Sequence, residues 1–297
     1  MHGIWTALVT PFDGNGKIDF QAFERILADQ ISAQVSGVVV CGSTGETPTL
    51  SLQERQELVC KAVAQMRKTN VQVLVGAGSN NTQDSIEFSQ WAEKQDVSGV
   101  MLVAPYYNKP TQAGMKAHFL KIANSVSCPI VLYNVPGRTV VSIAPETVAE
   151  LATHPRIRAL KEATGNIAFA SEILDQLKTR NLTMDLLSGD DATYLPFLAV
   201  GGKGAVSVAS NLFPREMVAI QKAFDENRNQ DAQKLQSRFY PLFRDLFIEP
   251  NPVPVKYAMS LTGLCKPYVR LPLVEMSSAN QEKVARSFEA CGLKRKE

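Results

Sequence analysis

The sequence has few of the side chains that bind metals or form disulfides. It contains only three histidines, His2, His118 and His154, and none lies at metal-ligand spacing from another histidine or a cysteine. The five cysteines are widely separated and form no CxxC pair, so we expect reduced, mostly buried thiols. This scarcity disfavours a metal-dependent or Ser-His-Asp mechanism, and we expect no metal or other cofactor. Proton transfer would then depend on tyrosine, lysine or carboxylate side chains.

The sequence also lacks a large excess of charge of one sign and has no long apolar runs. The 31 basic and 29 acidic side chains give a net charge of +2, which is not typical of a nucleic-acid-binding surface. No stretch approaches 18 consecutive apolar residues, and the first residues lack the basic and apolar regions of a signal peptide. We therefore expect a soluble, cytoplasmic protein without nucleic-acid or membrane partners.

The chain does contain eight apolar, β-rich segments that alternate with amphipathic helical segments. With 297 residues, 45% of them hydrophobic, it is long enough for a large core. The predicted strands span Gly3–Phe12, Ser36–Gly42, Val71–Gly78, Gly99–Tyr107, Pro129–Pro136, Ile157–Thr164, Thr183–Asp190 and Gly204–Val208. This alternation predicts an α/β protein of the (β/α)8 TIM-barrel class. The alternative is a doubly wound sheet, but no GxGxxG motif follows the first strand.

The alternation stops after the eighth strand, and helical patterns continue to the end of the sequence. We predict a barrel over residues 1–226 that carries the active site, and a small helical region over residues 227–297. The prolines of Glu249-Pro-Asn-Pro-Val-Pro254 should interrupt the helices there.

Lys161 is the strongest candidate for a catalytic residue. In a strand, Ile157, Ala159, Lys161 and Ala163 share one face, so the lysine should point into a core with these small apolar residues. A buried ammonium is costly unless it is paired, whereas a neutral amine can attack a carbonyl and form a Schiff base. The alternative is a lysine at a strand end that reaches solvent or pairs with Glu162.

Other polar segments follow predicted strands, at the barrel end where TIM-barrel enzymes have their active sites. Gly42-Ser-Thr-Gly-Glu46 could bind a carboxylate or be an ordinary turn before the capping box Ser51-Leu-Gln-Glu54. The segments that contain Tyr107, Tyr133 and Arg138 could supply proton transfer and a carboxylate contact, or only packing and surface charge. Ser188-Gly-Asp-Asp191 could equally be a helix N-cap. Together they suit imine chemistry on carboxylate-bearing substrates.

These motifs resemble the dihydrodipicolinate synthase family, within the pyruvate-dependent N-acetylneuraminate lyase superfamily. The resemblance covers the whole chain in order and rests on GSTGE at 42–46, PYYNKP at 105–110, YNVPGRT at 133–139, KEATGN at 161–166, SGDD at 188–191 and NPVPVK at 251–256. It implies a Schiff-base lyase that condenses pyruvate with aspartate semialdehyde to 4-hydroxy-tetrahydrodipicolinate, in diaminopimelate and lysine biosynthesis.

The resemblance also implies roles for individual residues. Lys161 would form the imine with pyruvate, and Tyr133 would move protons to and from it. Ser43 and Tyr107 would be the relay partners of Tyr133, with Tyr107 reaching a neighbouring subunit's site in a homotetramer built as a dimer of dimers. The remaining positions would bind substrate: Thr44 the pyruvate carboxylate, Arg138 the semialdehyde carboxylate, and Gly189 and Val206 as lining of the pocket.

Ser43 departs from the family pattern, because synthases usually carry threonine there and GSTGE is common in the sister lyases. An N-acetylneuraminate lyase or another pyruvate-dependent sugar-acid aldolase is therefore the alternative, although Arg138 favours the synthase. A non-catalytic barrel that only binds ligand is a further alternative, which the presence of Lys161 and Tyr133 disfavours.

The resemblance extends to a site at which lysine inhibits some family members. Asn80 and Tyr106 match that site, Asp84 replaces its glutamate, and Thr47-Pro48 occupies the adjoining turn. Leu52 and Arg55 stand where sensitive enzymes often carry histidines, so we expect little or no inhibition by lysine.

Overall fold

The eight predicted strands are all present in the computed structural model, which describes residues 1–295. They span β1 Gly3–Ala7, β2 Gly37–Val40, β3 Gln72–Gly76, β4 Gly99–Val103, β5 Ile130–Asn134, β6 Ile157–Glu162, β7 Asp185–Ser188 and β8 Gly204–Ser207. The strands form a closed barrel in the order β1 to β8, and the paired neighbours run parallel. The prediction of a TIM barrel is confirmed.

Helices follow the strands, as the sequence predicted. They span α1 Phe20–Ser32, α2 Leu52–Met66, α3 Thr82–Glu93, α4 Gln112–Ala123, α5 Pro136–Thr139, α6 Pro145–Ala152, α7 Ile167–Thr179, α8 Tyr194–Ala199, α9 Pro214–Asp225, α10 Asn229–Asp245, α11 Val253–Leu261 and α12 Ser278–Ala290. The predicted capping box is present at α2, where the Ser51 hydroxyl accepts from the Glu54 amide and the Glu54 carboxylate accepts from the Ser51 amide.

The predicted strands are too long at their carboxyl ends. The fourth was predicted to reach Tyr107, but β4 ends at Val103. Tyr107 and Lys109 have φ angles of 71° and 47°, which lie outside the β region. The chain therefore turns away from the sheet immediately after the ladder, and the polar residues of this segment lie in a loop.

The described chain comprises two compact units. The first contains residues 1–3 and 72–206, with β3 to β7 and most of β8. Strands β4 and β5 are largely apolar and almost completely buried, with the sequences Gly-Val-Met-Leu-Val and Ile-Val-Leu-Tyr-Asn. Such continuous apolar strands are typical of a parallel sheet covered on both faces.

The second unit contains residues 4–71 and those from Ser207 onward, with β1, β2 and helices α9 to α12. Phe213, Phe239 and Phe243 form an aromatic cluster here, with ring centroids 4.7 Å apart for the first two and 5.8 Å for the first and third. The prolines that were predicted to interrupt the helices lie at the start of α11. Pro252 is its N-cap residue and Pro254 lies in its first turn, where a missing N–H costs nothing. The predicted domain boundary at residue 226 stays a prediction.

Candidate active site

Lys161 lies on β6 with only 4% of its surface exposed, as the alternation of this strand predicted. Within residues 1–295 its ammonium has no salt bridge and no hydrogen bond, so the predicted alternative of a pair with Glu162 is wrong. The ring of Tyr133 lies beside it, with its centroid 4.2 Å from Lys161 Nζ. An aromatic face stabilises a cation weakly and does not block a neutral amine. The amine is thus buried, unpaired within the described chain and close to a tyrosine.

The register of the sheet brings Tyr133 and Lys161 together. They are directly paired residues of the parallel strands β5 and β6, and both side chains are buried. Because neighbouring strands lie about 4.8 Å apart, paired residues on the same face must contact each other. The predicted pair of catalytic residues is therefore adjacent in the structure.

Gly189 follows β7 and leaves space beside the lysine. A Cβ atom at this position would lie 2.4 Å from Ala163 Cβ and 3.0 Å from Lys161 Cε. Its amide donates to the Glu162 carbonyl over 2.7 Å, which fixes the backbone next to β6. Only glycine fits here, and Val206 on β8 is fully buried in the same unit.

The Ser188–Asp191 segment is also held by hydrogen bonds to the turn that follows it. The Asp190 carboxylate accepts from the amide of Thr193 over 2.9 Å and from its hydroxyl over 2.6 Å. The N-cap residue of α8 is Thr193, outside this segment, and its side chain makes no capping hydrogen bond. Asp190 therefore fixes the turn before α8 and does not cap the helix.

A second pair lies next to the first, and sequence reasoning missed it. Asn134 follows Tyr133 and Glu162 follows Lys161, so both point to the opposite face of the sheet. Asn134 Nδ2 donates to Glu162 Oε2 over 2.7 Å, and the Thr164 amide donates to Glu162 Oε1 over 2.6 Å. Burial raises the pKa of Glu162. The only signal in the sequence was the position of two polar residues beside two candidate catalytic ones.

Tyr107 and Arg138, in contrast to this buried group, are exposed. Tyr107 is 88% exposed, and within the described part of the chain its hydroxyl makes no hydrogen bond. Arg138 is exposed on the short helix α5, which begins after Tyr133 and Asn134. The chain does not bring the Tyr107 hydroxyl to Tyr133, which agrees with, but does not test, its predicted role in a neighbouring subunit.

Ser43 and Thr44 belong to the second unit, in a short 3-10 helix after β2. Ser43 is half-buried, whereas Thr44 is buried and its hydroxyl accepts from Asn251 Nδ2 over 2.9 Å. The amides of Gly45 and Glu46 donate within the turn, to Gly42 and Ser43 carbonyls. These two amides are therefore used by the turn itself.

A buried ion pair holds this turn, and sequence reasoning missed it as well. Lys256 on α11 is 0% exposed, and its Nζ lies 2.5 Å from Glu46 Oε1 and 2.7 Å from the Tyr268 carbonyl. Glu46 Oε2 accepts from the Arg270 amide over 3.0 Å. Burial lowers the pKa of Lys256. Lys256 is thus paired with a carboxylate, whereas Lys161 has no ion-pair partner among the described residues.

The residues of the predicted lysine-inhibition site lie on the surface. Asn80 and Tyr106 are half-buried, and Asp84 is exposed, with its Oδ1 accepting from Asn81 Nδ2 over 2.9 Å. In the other unit, Leu52 is exposed and Arg55 is half-buried. Their role in regulation stays a prediction.

No helix of the described residues is long and apolar enough to cross a membrane. The same residues contain no cluster of three or more His, Cys, Asp or Glu side chains that could hold a metal ion. The five cysteines, all within the described residues, form no disulfide, and four of them are buried.

A sequence model of the dihydrodipicolinate synthetase family matches residues 1–291. The chain belongs to this family. It is 48% identical over 275 residues to the 4-hydroxy-tetrahydrodipicolinate synthase of Leptospira biflexa serovar Patoc, covering 93% of this chain and 92% of that one. This family membership confirms the resemblance found in the motifs.

Solved structures agree with the family assignment. The 4-hydroxy-tetrahydrodipicolinate synthase from Methylacidiphilum fumariolicum SolV is 44% identical, with a TM-score of 0.95 and coverage of 98% of this chain and 96% of that chain. A structure described as the first monomeric dihydrodipicolinate synthase variant is 36% identical, with a TM-score of 0.95 and coverage of 99% and 97%. The family fold therefore extends over the whole described chain.

Proposed function

We propose that this protein is a 4-hydroxy-tetrahydrodipicolinate synthase, a Schiff-base lyase that condenses pyruvate with aspartate semialdehyde. The observation that carries the proposal is Lys161, a buried amine without an ion-pair partner among the described residues, placed against Tyr133 in a chain of this family. A lysine held in this way is suited to attack a ketone.

The chemistry follows from an amine next to a proton carrier. Lys161 attacks the pyruvate ketone and loses water to give an imine, and loss of a methyl proton gives an enamine. The enamine carbon attacks the semialdehyde carbonyl, and the amino group of the new adduct then displaces Lys161 by cyclisation. Tyr133, adjacent to the amine, is positioned to move the protons that these steps require.

The remaining site residues have proposed roles that the family resemblance supports. Thr44 contacts the pyruvate carboxylate, Ser43 relays protons, and Arg138 binds the semialdehyde carboxylate. Gly189 and Val206 line the pocket. Tyr107 acts in the active site of a neighbouring subunit, within a cytoplasmic homotetramer. Asn80, Asp84 and Tyr106 form a site at which free lysine causes little or no inhibition. The proposed reaction belongs to the biosynthesis of diaminopimelate and lysine.

The decisive experiment traps the imine. The protein is incubated with pyruvate, reduced with borohydride and digested, and the labelled peptide is identified by mass spectrometry. We expect the reduced pyruvyl mass on Lys161 and parallel loss of activity. Lys256 is an internal control, because it is buried but paired with Glu46. Label on Lys256, or no label, would contradict the proposal.

The aldehyde partner is tested separately in a coupled assay. Aspartate semialdehyde and N-acetylneuraminate are compared at equal concentrations, because Ser43 is the one residue that favours a sugar-acid aldolase. We expect turnover with the semialdehyde only. Imine formation combined with turnover of the sugar acid alone would identify the alternative enzyme.

A further inference from the structure

The buried pair Asn134 and Glu162 lies directly beside Tyr133 and Lys161. Both pairs are in register on β5 and β6, one on each face of the sheet. All four side chains are buried. A displacement of either strand along its axis would therefore change both pairs together, because successive residues share one rigid backbone.

The hydrogen bonds of the pair span the gap between the two strands. Asn134 Nδ2 donates to Glu162 Oε2 over 2.7 Å, and Asn134 Oδ1 accepts from the Ile143 amide over 2.9 Å. Glu162 Oε1 accepts from the Thr164 amide over 2.6 Å, so both carboxyl oxygens have partners. The pair thus also anchors the two loops that leave the strands.

An apolar pair would pack on this face at lower cost. A buried carboxyl is expensive, and burial raises the pKa of Glu162, which forms no salt bridge within residues 1–295. The polar pair differs from an apolar one in that hydrogen bonds are directional. They fix the relative position of the two strands, whereas apolar contacts would tolerate several positions. The backbone ladder ends here, with the Ala163 amide donating to the Asn134 carbonyl over 3.0 Å.

We propose that Asn134 and Glu162 are positioning residues that fix Tyr133 against Lys161 and so set the rate of imine formation. This inference rests on the proposed function of Lys161. The pair touches no reacting atom and acts only through the two strands.

The test exchanges the two functional groups. Asn134→Asp removes the donor of the cross-strand bond and places two carboxyl groups against each other. Glu162→Gln leaves one side-chain oxygen for two donors, Asn134 Nδ2 and the Thr164 amide, so one of these two hydrogen bonds is lost. The double variant N134D/E162Q restores one donor and one acceptor with the direction reversed. Ser287→Ala is the matched control, because it removes a buried 2.6 Å hydrogen bond to Asp245 between α12 and α10.

The measured quantity is the rate of pyruvate trapping at Lys161 under borohydride, together with kcat and KM. We expect each single variant to slow trapping and kcat by about tenfold or more with little change in KM, since misplacement by about 1 Å can cost on the order of 100-fold. The double variant should return to within about threefold of the wild type. S287A should lower the melting temperature and leave the rate unchanged.

Wild-type rates in both folded single variants, or a double variant as slow as the singles, would overturn the inference. If N134D does not fold, E162Q and the double variant decide it by the same comparison. Failure of the wild type to trap pyruvate at Lys161 would instead contradict the proposed function, which separates the two outcomes.

Discussion

His118 on α4 is a buried histidine that the proposed chemistry does not use. It is 7% exposed, its Nδ1 lies 2.9 Å from the Thr82 hydroxyl, and burial lowers its pKa to about 4. The native state therefore holds the neutral ring, while the unfolded chain binds a proton below pH 6.5. The contribution of His118 to the free energy of unfolding is therefore fully present above about pH 6.5, and it is lost as the pH falls towards about 4.

We predict that His118→Gln reduces this pH dependence. The free energy of unfolding of the wild type should fall by about 2 kcal/mol more than that of the variant between pH 7 and pH 4. His154→Gln is the matched control, because this half-buried ring bonds Asn124 over 3.2 Å on the surface. Urea denaturation at several pH values provides the measurement, and parallel curves for wild type and H118Q would refute the prediction.

At the residue scale, alternation along one strand was enough to find Lys161. Ile157, Ala159 and Lys161 share a face, and the structure buries that face. Lys256 could not be found in this way, because its partner Glu46 is 210 positions away and no local pattern joins them. Asn134 and Glu162 were partly predictable. Alternation predicts which face of the sheet they occupy, but it does not predict the hydrogen bond between them.

At the element scale, the sequence predicted the existence and order of strands better than their ends. Apolar runs continue past the last ladder hydrogen bond, and only backbone conformation decides where pairing stops. Cys41 and Tyr107, which follow β2 and β4, both have positive φ angles, of 57° and 71°. A non-glycine residue in this region is uncommon, so no composition rule would have predicted these ends.

Helix α11 and the turn after β2 are linked by Lys256 and Glu46, both of which are fully or almost fully buried. We predict that Lys256→Met destabilises the protein by about 3–5 kcal/mol, because it leaves Glu46 buried without its cation. The double variant E46Q/K256M should recover much of this loss. Urea denaturation midpoints measure both effects.

Lys116→Met is the control for this prediction. Lys116 forms a 2.7 Å salt bridge with Glu150, but both side chains are about 40% exposed. Exposed pairs contribute about 0–1 kcal/mol, so K116M should be nearly neutral. Equal stability of K256M and K116M would mean that the buried pair contributes no more than a surface pair.

At the scale of the whole molecule, the barrel and the helical region were predictable because they depend on repeated patterns over the entire chain. Assembly depends on surface shape, which no pattern in one chain encodes. Exposed apolar side chains nevertheless mark candidate contact surfaces, and Tyr107 and Val140 of the first unit are 88% and 68% exposed. Burial of both side chains against a partner would be favourable, because it removes apolar surface from water.

We predict that activity depends on assembly through Tyr107. The wild type should sediment as a homotetramer, and its activity per subunit should fall on dilution as smaller species form. Tyr107→Phe keeps the ring, so it should assemble like the wild type but lose activity with the hydroxyl. Tyr107→Ala removes the ring that we expect to be buried by a partner, so it should dissociate at higher concentration. Analytical ultracentrifugation combined with rates at matched concentrations separates these effects. A wild-type monomer with full activity would contradict the prediction, since the 88% exposed ring would then have no partner site to complete.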